Sequence, residues 1–212
     1  MRPLWIDDVA RLTVLGAHPD DIEIGAGGTL LRLAAASPGV RVHYVLLTGA
    51  EERIEEARTA ARAFLPDADV TFEAHQLPDG RLPAHWGEVK QILQDAVAGF
   101  SPDLVLAPAT DDAHQDHRTL AELVTTAYRD HLCLQYEIPK WDGDLSRRQL
   151  YVPLTDELMR RKRELLHACY PSQKSRDWWD DELFAGLARI RGVECRSRYA
   201  EAFSVSKAVI DL

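Results

Sequence analysis

His18-Pro19-Asp20-Asp21 places an imidazole and two carboxylates within four residues, at the end of the apolar run Leu12 to Ala17. A catalytic zinc takes three side-chain ligands and keeps one position for water, and His/carboxylate sets serve it well. His18 and Asp21 can supply two of the three. A second cluster, Asp111-Asp112-Ala113-His114-Gln115-Asp116-His117, follows another apolar run, Asp103 to Pro108, and offers the missing histidine from a distant part of the chain. Pro19 fixes its own φ at about −65° and keeps His18 extended, so Asp20 and Asp21 can face different ways. One carboxylate can then bind metal while the other stays free beside a water that zinc brings to a pKa of about 7. Read alone, His18 to Asp21 also fits a turn whose carboxylates cap a helix. His114 to His117 likewise fits a capping segment, which does not prevent His117 from ligating metal.

The elements that must position these clusters alternate along the chain. Residues 12–17 read as a strand, and residues 27–36 as a helix ended by Ser37-Pro38-Gly39. Further strands are expected at residues 42–47, 70–72, 104–107, 132–138 and 150–154, with helices at 51–65, 86–100, 118–130, 156–170 and 180–190. Strands alternating with helices of this length imply right-handed crossovers and a mostly parallel sheet covered on both faces. In such sheets ligands bind beyond the carboxyl ends of the strands, where both clusters fall. Gly25-Ala26-Gly27-Gly28 lacks GxGxxG spacing, so it reads as a close helix-to-sheet approach and not a dinucleotide loop.

The 212 residues, 46% hydrophobic, can bury a sizeable core in one domain. A net charge of −9 argues against nucleic acid and anionic membrane surfaces, which call for clustered Lys and Arg. The one basic run, Arg160-Arg161-Lys162-Arg163, reads as a solvated helix surface. Cys133, Cys169 and Cys195 have no CxxC spacing. With no signal-like stretch in residues 1–10 and no window near the roughly 20 apolar residues of a membrane span, a cytoplasmic protein is expected. A homo-oligomer is left open. His43, His75, His85, His131 and His167 lie outside the clusters and read as surface or packed histidines.

Gly16 to Leu30, with His18-Pro19-Asp20-Asp21 at its head, resembles the signature of the LmbE-like, or PIG-L, family of zinc-dependent N-deacetylases. Thr48-Gly49, then Arg53, Glu56 and Ala60, resemble a pattern recurrent in that family, and His114-Gln115-Asp116-His117 resembles its second metal motif. Tyr170, Ser172 and Gln173 look like its Tyr-x-Ser-Gln segment, and Glu201 to Phe203 its closing Glu-x-Phe. Phe64-Leu65-Pro66 departs from the usual Leu-Gly end of the second helix, which alters packing and not chemistry. The resemblance implies an α/β, Rossmann-like three-layer fold with a mostly parallel sheet, formed by residues 1–212 as a single LmbE/PIG-L-like deacetylase domain. It further implies removal of an acyl group, most often acetyl, from an N-acylated amino sugar or glycoconjugate.

Carried over by residue, His18, Asp21 and His117 resemble the zinc ligands, Asp20 the general base, and His114 the electrophilic partner. Asp116 would orient His114 and keep it an imidazolium that stabilises the oxyanion. His/Asp sites accept Fe(II), Co(II) or Ni(II) as well as Zn(II) by the same ligand chemistry. Arg53 is a candidate for a phosphate or carboxylate on the substrate, or else pairs with Glu56 on its own helix. Tyr136 and Glu137, at the end of a late strand, are candidate substrate contacts at the rim. Trp141, Trp178 and Trp179 read either as a platform for a sugar ring or as core. Two other functions fit the same frame: an amidase of a larger sugar or thiol conjugate, and a non-catalytic sugar- or nucleotide-binding module. A binding module has no need of a free Asp20 beside a complete ligand set.

Overall fold

The computed structural model describes residues 3–210. Five parallel strands form most of one sheet: β1 (Arg11–Gly16), β2 (Arg41–Thr48), β3 (Asp69–Leu77), β4 (Leu104–Pro108) and β5 (Leu132–Tyr136). Two more, β6 (Leu150–Leu154) and β7 (Tyr199–Ser204), complete the order β3-β2-β1-β4-β5-β7-β6, with β7 antiparallel to both neighbours. The chain winds outward from β1 to β3, then returns to lay β4 on the other side of β1. Two adjacent strands whose connections leave in opposite directions open a crevice at their carboxyl ends. β1 leads into His18 and β4 leads into Asp111, so both clusters open into that crevice.

Helices cover both faces, as buried parallel strands require. On one face α1 (Asp21–Ala36), α2 (Glu51–Phe64), α5 (Asp156–Cys169) and α6 (Asp181–Cys195) pack with Leu12, Val14 and Tyr44 of the sheet. On the other, α3 (Trp86–Gly99) and α4 (Gln115–Ala127) pack with Leu15, Val45 and Val105. The three-layer arrangement is the one expected. α1 lies against the sheet through its glycines: a Cβ on Gly25 would fall 2.3 Å from Tyr136 Cδ2, and one on Gly28 would fall 2.5 Å from Leu154 Cδ1. Residues with larger side chains would hold this helix away from the strand ends it must abut.

Three differences from expectation bear on function. α1 begins at Asp21 and not at residue 27, and α4 at Gln115 and not at 118. Charged and polar residues are interleaved in these first turns, which blurs the apolar period. β7 was not foreseen as a strand. Lys162 is not solvated as the basic run suggested. It is buried and donates to Glu201 Oε1 at 2.6 Å and to the Ile24 carbonyl at 2.7 Å. Glu201, on β7, also accepts the backbone N–H groups of Gly28 and Thr29. This closed network ties β7 and α5 to α1 and explains the Glu-x-Phe segment as scaffold. The five scattered histidines are packed or surface residues; His43 and His75, for example, share Glu73.

Candidate metal centre and active site

The first turns of α1 and α4 carry Asp21 and His117, and the end of β1 carries His18. Their polar atoms converge. His18 Nδ1 lies 3.1 Å from His117 Nε2, and Asp21 Oδ2 lies 3.4 Å from the first and 3.3 Å from the second. Ligand atoms about 2.0–2.1 Å from a tetrahedral zinc stand about 3.3–3.4 Å apart, so the spacing fits such an ion.

The outer nitrogens say why a cation belongs there. His18 Nε2 faces Asp116 Oδ2 and Asp79 Oδ1, each at 3.1 Å, and His117 Nδ1 lies 3.0 Å from Asp112 Oδ2. The latter contact is an ion-pair distance off the line of a good hydrogen bond, leaving that buried nitrogen without an aligned partner. Carboxylates hold a proton on each outer nitrogen. Both inner nitrogens then face each other and the Asp21 carboxylate, an arrangement that a shared proton or a metal cation relieves. Burial pulls His18 down, but Asp21 and the bonds to Asp116 and Asp79 outweigh it and push it up to about 12. His117, likewise opposed by burial, is raised to about 9, chiefly by Asp21 and Asp112. Asp21 is buried too, yet His117 and His18 hold it well below the usual carboxylate range.

Asp20 stands apart from this donor set. It caps α1 in a left-handed conformation, φ 99°, and its side chain makes no capping bond. A non-glycine residue there stores roughly 1–3 kcal/mol of strain, a device common where a side chain must be aimed. Its Oδ2 accepts from Arg53 Nη2 at 2.9 Å, and the same guanidinium group holds the Pro19 carbonyl. Burial pushes Asp20 up to about 7, against the opposing pull of Arg53 and with Asp21 adding to it. Arg53 therefore reaches the site, braced from behind by Glu56 and Ser172. Ser172 gives both its N–H and its hydroxyl to Glu56 and lies 3.4 Å from Arg53 Nη1. The Tyr-x-Ser-Gln segment is thus the backing of Arg53, a role its sequence did not disclose.

The expected partnership of Asp116 with His114 is corrected. The Asp116 carboxylate accepts from the Gly80 and Leu82 backbone at 2.7 and 3.0 Å and faces His18, not His114. What reaches His114 is the Asp116 backbone N–H, which donates to Nδ1 at 3.2 Å as α4 begins. That bond leaves the ring proton on Nε2. Burial, with His117 and His18 nearby, lowers His114 below its ordinary value, so it is a neutral donor and not an imidazolium.

Tyr136 and Glu137 are also corrected. Tyr136 is fully buried, donates to the Leu15 carbonyl at 2.7 Å and packs against Gly25. Glu137 is buried in a two-point pair with Arg191, at 2.7 Å for each bond, with Arg148 at 3.2 Å. Neither is open to a substrate. Trp179 is core, in contact with Tyr170 and Phe184, whereas Trp141 is exposed. Asp79 has no role in the sequence reading, though it sits just past the carboxyl end of a strand. The Pro78-Asp79-Gly80 turn after β3 was the available signal.

A doubly covered parallel sheet with a cation-seeking His/Asp cluster at its switch point defines the class, and sequence comparison gives the lineage. The chain belongs to the GlcNAc-PI de-N-acetylase (PIG-L) family, whose profile matches residues 13–128, more than half of its length. It is 28% identical over 141 residues to the uncharacterized deacetylase YaiS of Escherichia coli, covering 60% of this chain and 74% of that one. N,N'-diacetylchitobiose deacetylase from Pyrococcus horikoshii superposes with a TM-score of 0.71 at 23% identity, over 93% of this chain and 84% of that one. A 4-carboxy-2-hydroxymuconate hydratase from Pseudomonas putida superposes with a TM-score of 0.73 at 19% identity, over 95% and 98% of the two chains. The frame therefore serves more than one reaction, and the site decides which. Among the described residues no helix is long and apolar enough to cross a membrane.

Proposed function

We propose that this chain is a divalent-metal-dependent N-deacetylase that hydrolyses the acetamide of an N-acetylated amino sugar or sugar-containing conjugate. The observation that carries the reading is the donor set itself: His18 Nδ1, Asp21 Oδ2 and His117 Nε2 face one point, 3.1–3.4 Å apart, with Asp20 left outside the set. Membership in a de-N-acetylase family supports acyl removal from an amine. Zinc, or Fe(II), Co(II) or Ni(II) in its place, supplies Lewis-acid chemistry to the carbonyl and acidity to a water when bound.

The protein's own groups do the rest. Arg53 fixes Asp20 through Oδ2, which leaves Oδ1 free to accept a proton from the attacking water. A carboxyl held at about 7 can take that proton and return it near neutral pH. His114 offers Nε2–H to the oxygen on which negative charge develops, a contribution of roughly 2.7–4 kcal/mol for one such donor. As a neutral group it gives this bond without surrendering its own proton. Asp20, now protonated, passes its proton to the leaving nitrogen as the C–N bond breaks, releasing acetate and the amine.

The test is a screen for acetate release from N-acetylated amino sugars, free and conjugated, with protein loaded in turn with each of the four metals. Release above the chelated control from at least one substrate is expected. No release from any combination would overturn the proposal.

A further inference from the structure

We propose that Lys140 is a positioning residue for His117: its ammonium holds the Asp112 carboxylate against His117 Nδ1 and thereby sets how tightly the centre binds its metal. The inference rests on the metal-dependent reading above. Asp112 is buried, and both its oxygens are engaged. Oδ1 accepts the His114 N–H at 2.7 Å, while Oδ2 lies 3.0 Å from His117 Nδ1 and 2.9 Å from Lys140 Nζ.

The ammonium is held between several acceptors. It donates to Asp144 Oδ2 at 2.5 Å and to the Ile138 carbonyl at 3.2 Å, and its charge stands in ion-pair contact with Asp112 Oδ2. Asp144 in turn accepts the N–H of Ala113, at 2.7 Å. Two carboxylates thus meet across the turn that leads into α4, and Lys140 is the charge between them. Remove it, and Asp112 and Asp144 repel across the site of contact. Asp112 is then held only through Oδ1 by the His114 N–H and can turn Oδ2 away from His117, whose Nδ1 has no other carboxylate at hand among the described residues. A ligating imidazole whose outer N–H loses its carboxylate partner becomes less basic and less fixed in orientation, and such losses weaken metal affinity.

The experiment compares Lys140→Met, Lys140→Arg and Asp144→Asn with wild type by zinc affinity in chelator competition and by the visible spectrum of the Co(II)-loaded protein. Lys140→Met should weaken affinity by roughly 10–100-fold and shift the Co(II) bands. Lys140→Arg, which keeps the charge, should restore most of both. Asp144→Asn spares the Lys140–Asp112 pair and should stay close to wild type. Wild-type affinity in Lys140→Met overturns this proposal alone, whereas a wild type that binds no divalent ion overturns the metal reading with it. An equal loss in Asp144→Asn also overturns it, because the effect would then belong to the loop. Should Lys140→Met fail to fold, Lys140→Gln against Lys140→Arg gives the same comparison on the same two readouts.

Discussion

Two groups of buried charge stand at the carboxyl ends of the sheet, one beyond β1 and β4 and one beyond β5, and they are built on opposite principles. Around Glu137 every demand is met: Arg191 grips both carboxylate oxygens, Arg148 adds a third bond, and Arg148 spends its remaining reach on Asp111 and Ser204. Around His18 the demands conflict. One N–H faces two carboxylates, one carboxylate faces two imidazoles, and two ring nitrogens meet at 3.1 Å. In sequence both place carboxylates just past an apolar strand. Saturation separates them. A closed network stabilises the frame and leaves nothing for a ligand, whereas an unsatisfied one marks where a ligand completes the structure.

The strongest way to break that distinction is to remove a member of the conflicted group. His117→Ala should lose most of the bound metal and, with it, nearly all turnover. Metal analysis of both proteins after equilibration with zinc decides it. Equal stoichiometry would mean that His117 is not part of the centre.

Asp20→Asn should come next in effect. Asparagine tolerates positive φ, so the strained cap survives the change, and the metal should remain. Turnover should fall by roughly 10²–10⁴, the usual worth of a positioned base. Near-normal kcat with a wild-type metal content would transfer the base role to another carboxylate.

Arg191→Ala attacks the saturated group instead. It leaves Glu137 buried with only Arg148 as a charged partner, and breaking such a pair costs up to roughly 3–5 kcal/mol. Denaturant unfolding should record that loss, while kcat per folded molecule and metal content stay at wild-type values. If instead stability is unchanged and KM rises, Glu137 and its partners touch the substrate after all.

The two His/Asp clusters and the parallel sheet could be read from the chain because their signals are local. Apolar runs mark β1 and β4, and ligand-type residues follow each within a few positions. What escaped was set by distant partners. Asp116 stands next but one to His114 and by resemblance orients it, yet its carboxylate turns to His18 and to the loop after β3. Glu137 was assigned to the rim because it ends a strand; only the return of α6 brings Arg191 onto it. Lys162 sits in a run of like charges, and nothing in that run reveals that Glu201 waits across the fold. Arg53 is intermediate: its alternatives, Glu56 or a charge in the site, were both visible, and the structure has it near both.

The smallest expected effect is a slope, and it reports on the conflicted group as a whole. Asp20 and Glu23 are held by burial at about 7 against ordinary values of 3.8 and 4.5. Between those ordinary values and about 7 the folded chain binds more protons than the unfolded one, so their contribution to stability falls as pH rises through that window. His18 and His117 act in the same direction higher up. Raised from 6.5 to about 12 and about 9, they confer stability that is complete below 6.5 and is lost as pH climbs through the raised values. Asp21 and His114 run the other way: the window of Asp21 lies below 3.8, outside the range of the measurement, while His114, lowered from 6.5, offsets part of the fall just below that value. Chelated protein should therefore melt at steadily lower temperature from about pH 5 to about pH 9. Zinc must displace the protons on the inner nitrogens, so the rise in melting temperature on adding zinc should grow with pH over the same range. Differential scanning fluorimetry on both forms tests this, and a chelated protein that gains stability across the interval would contradict it. Arg191→Ala should lower both curves without altering their slopes, because the saturated network around Glu137 has no part in the proton exchange between His18, Asp21 and His117.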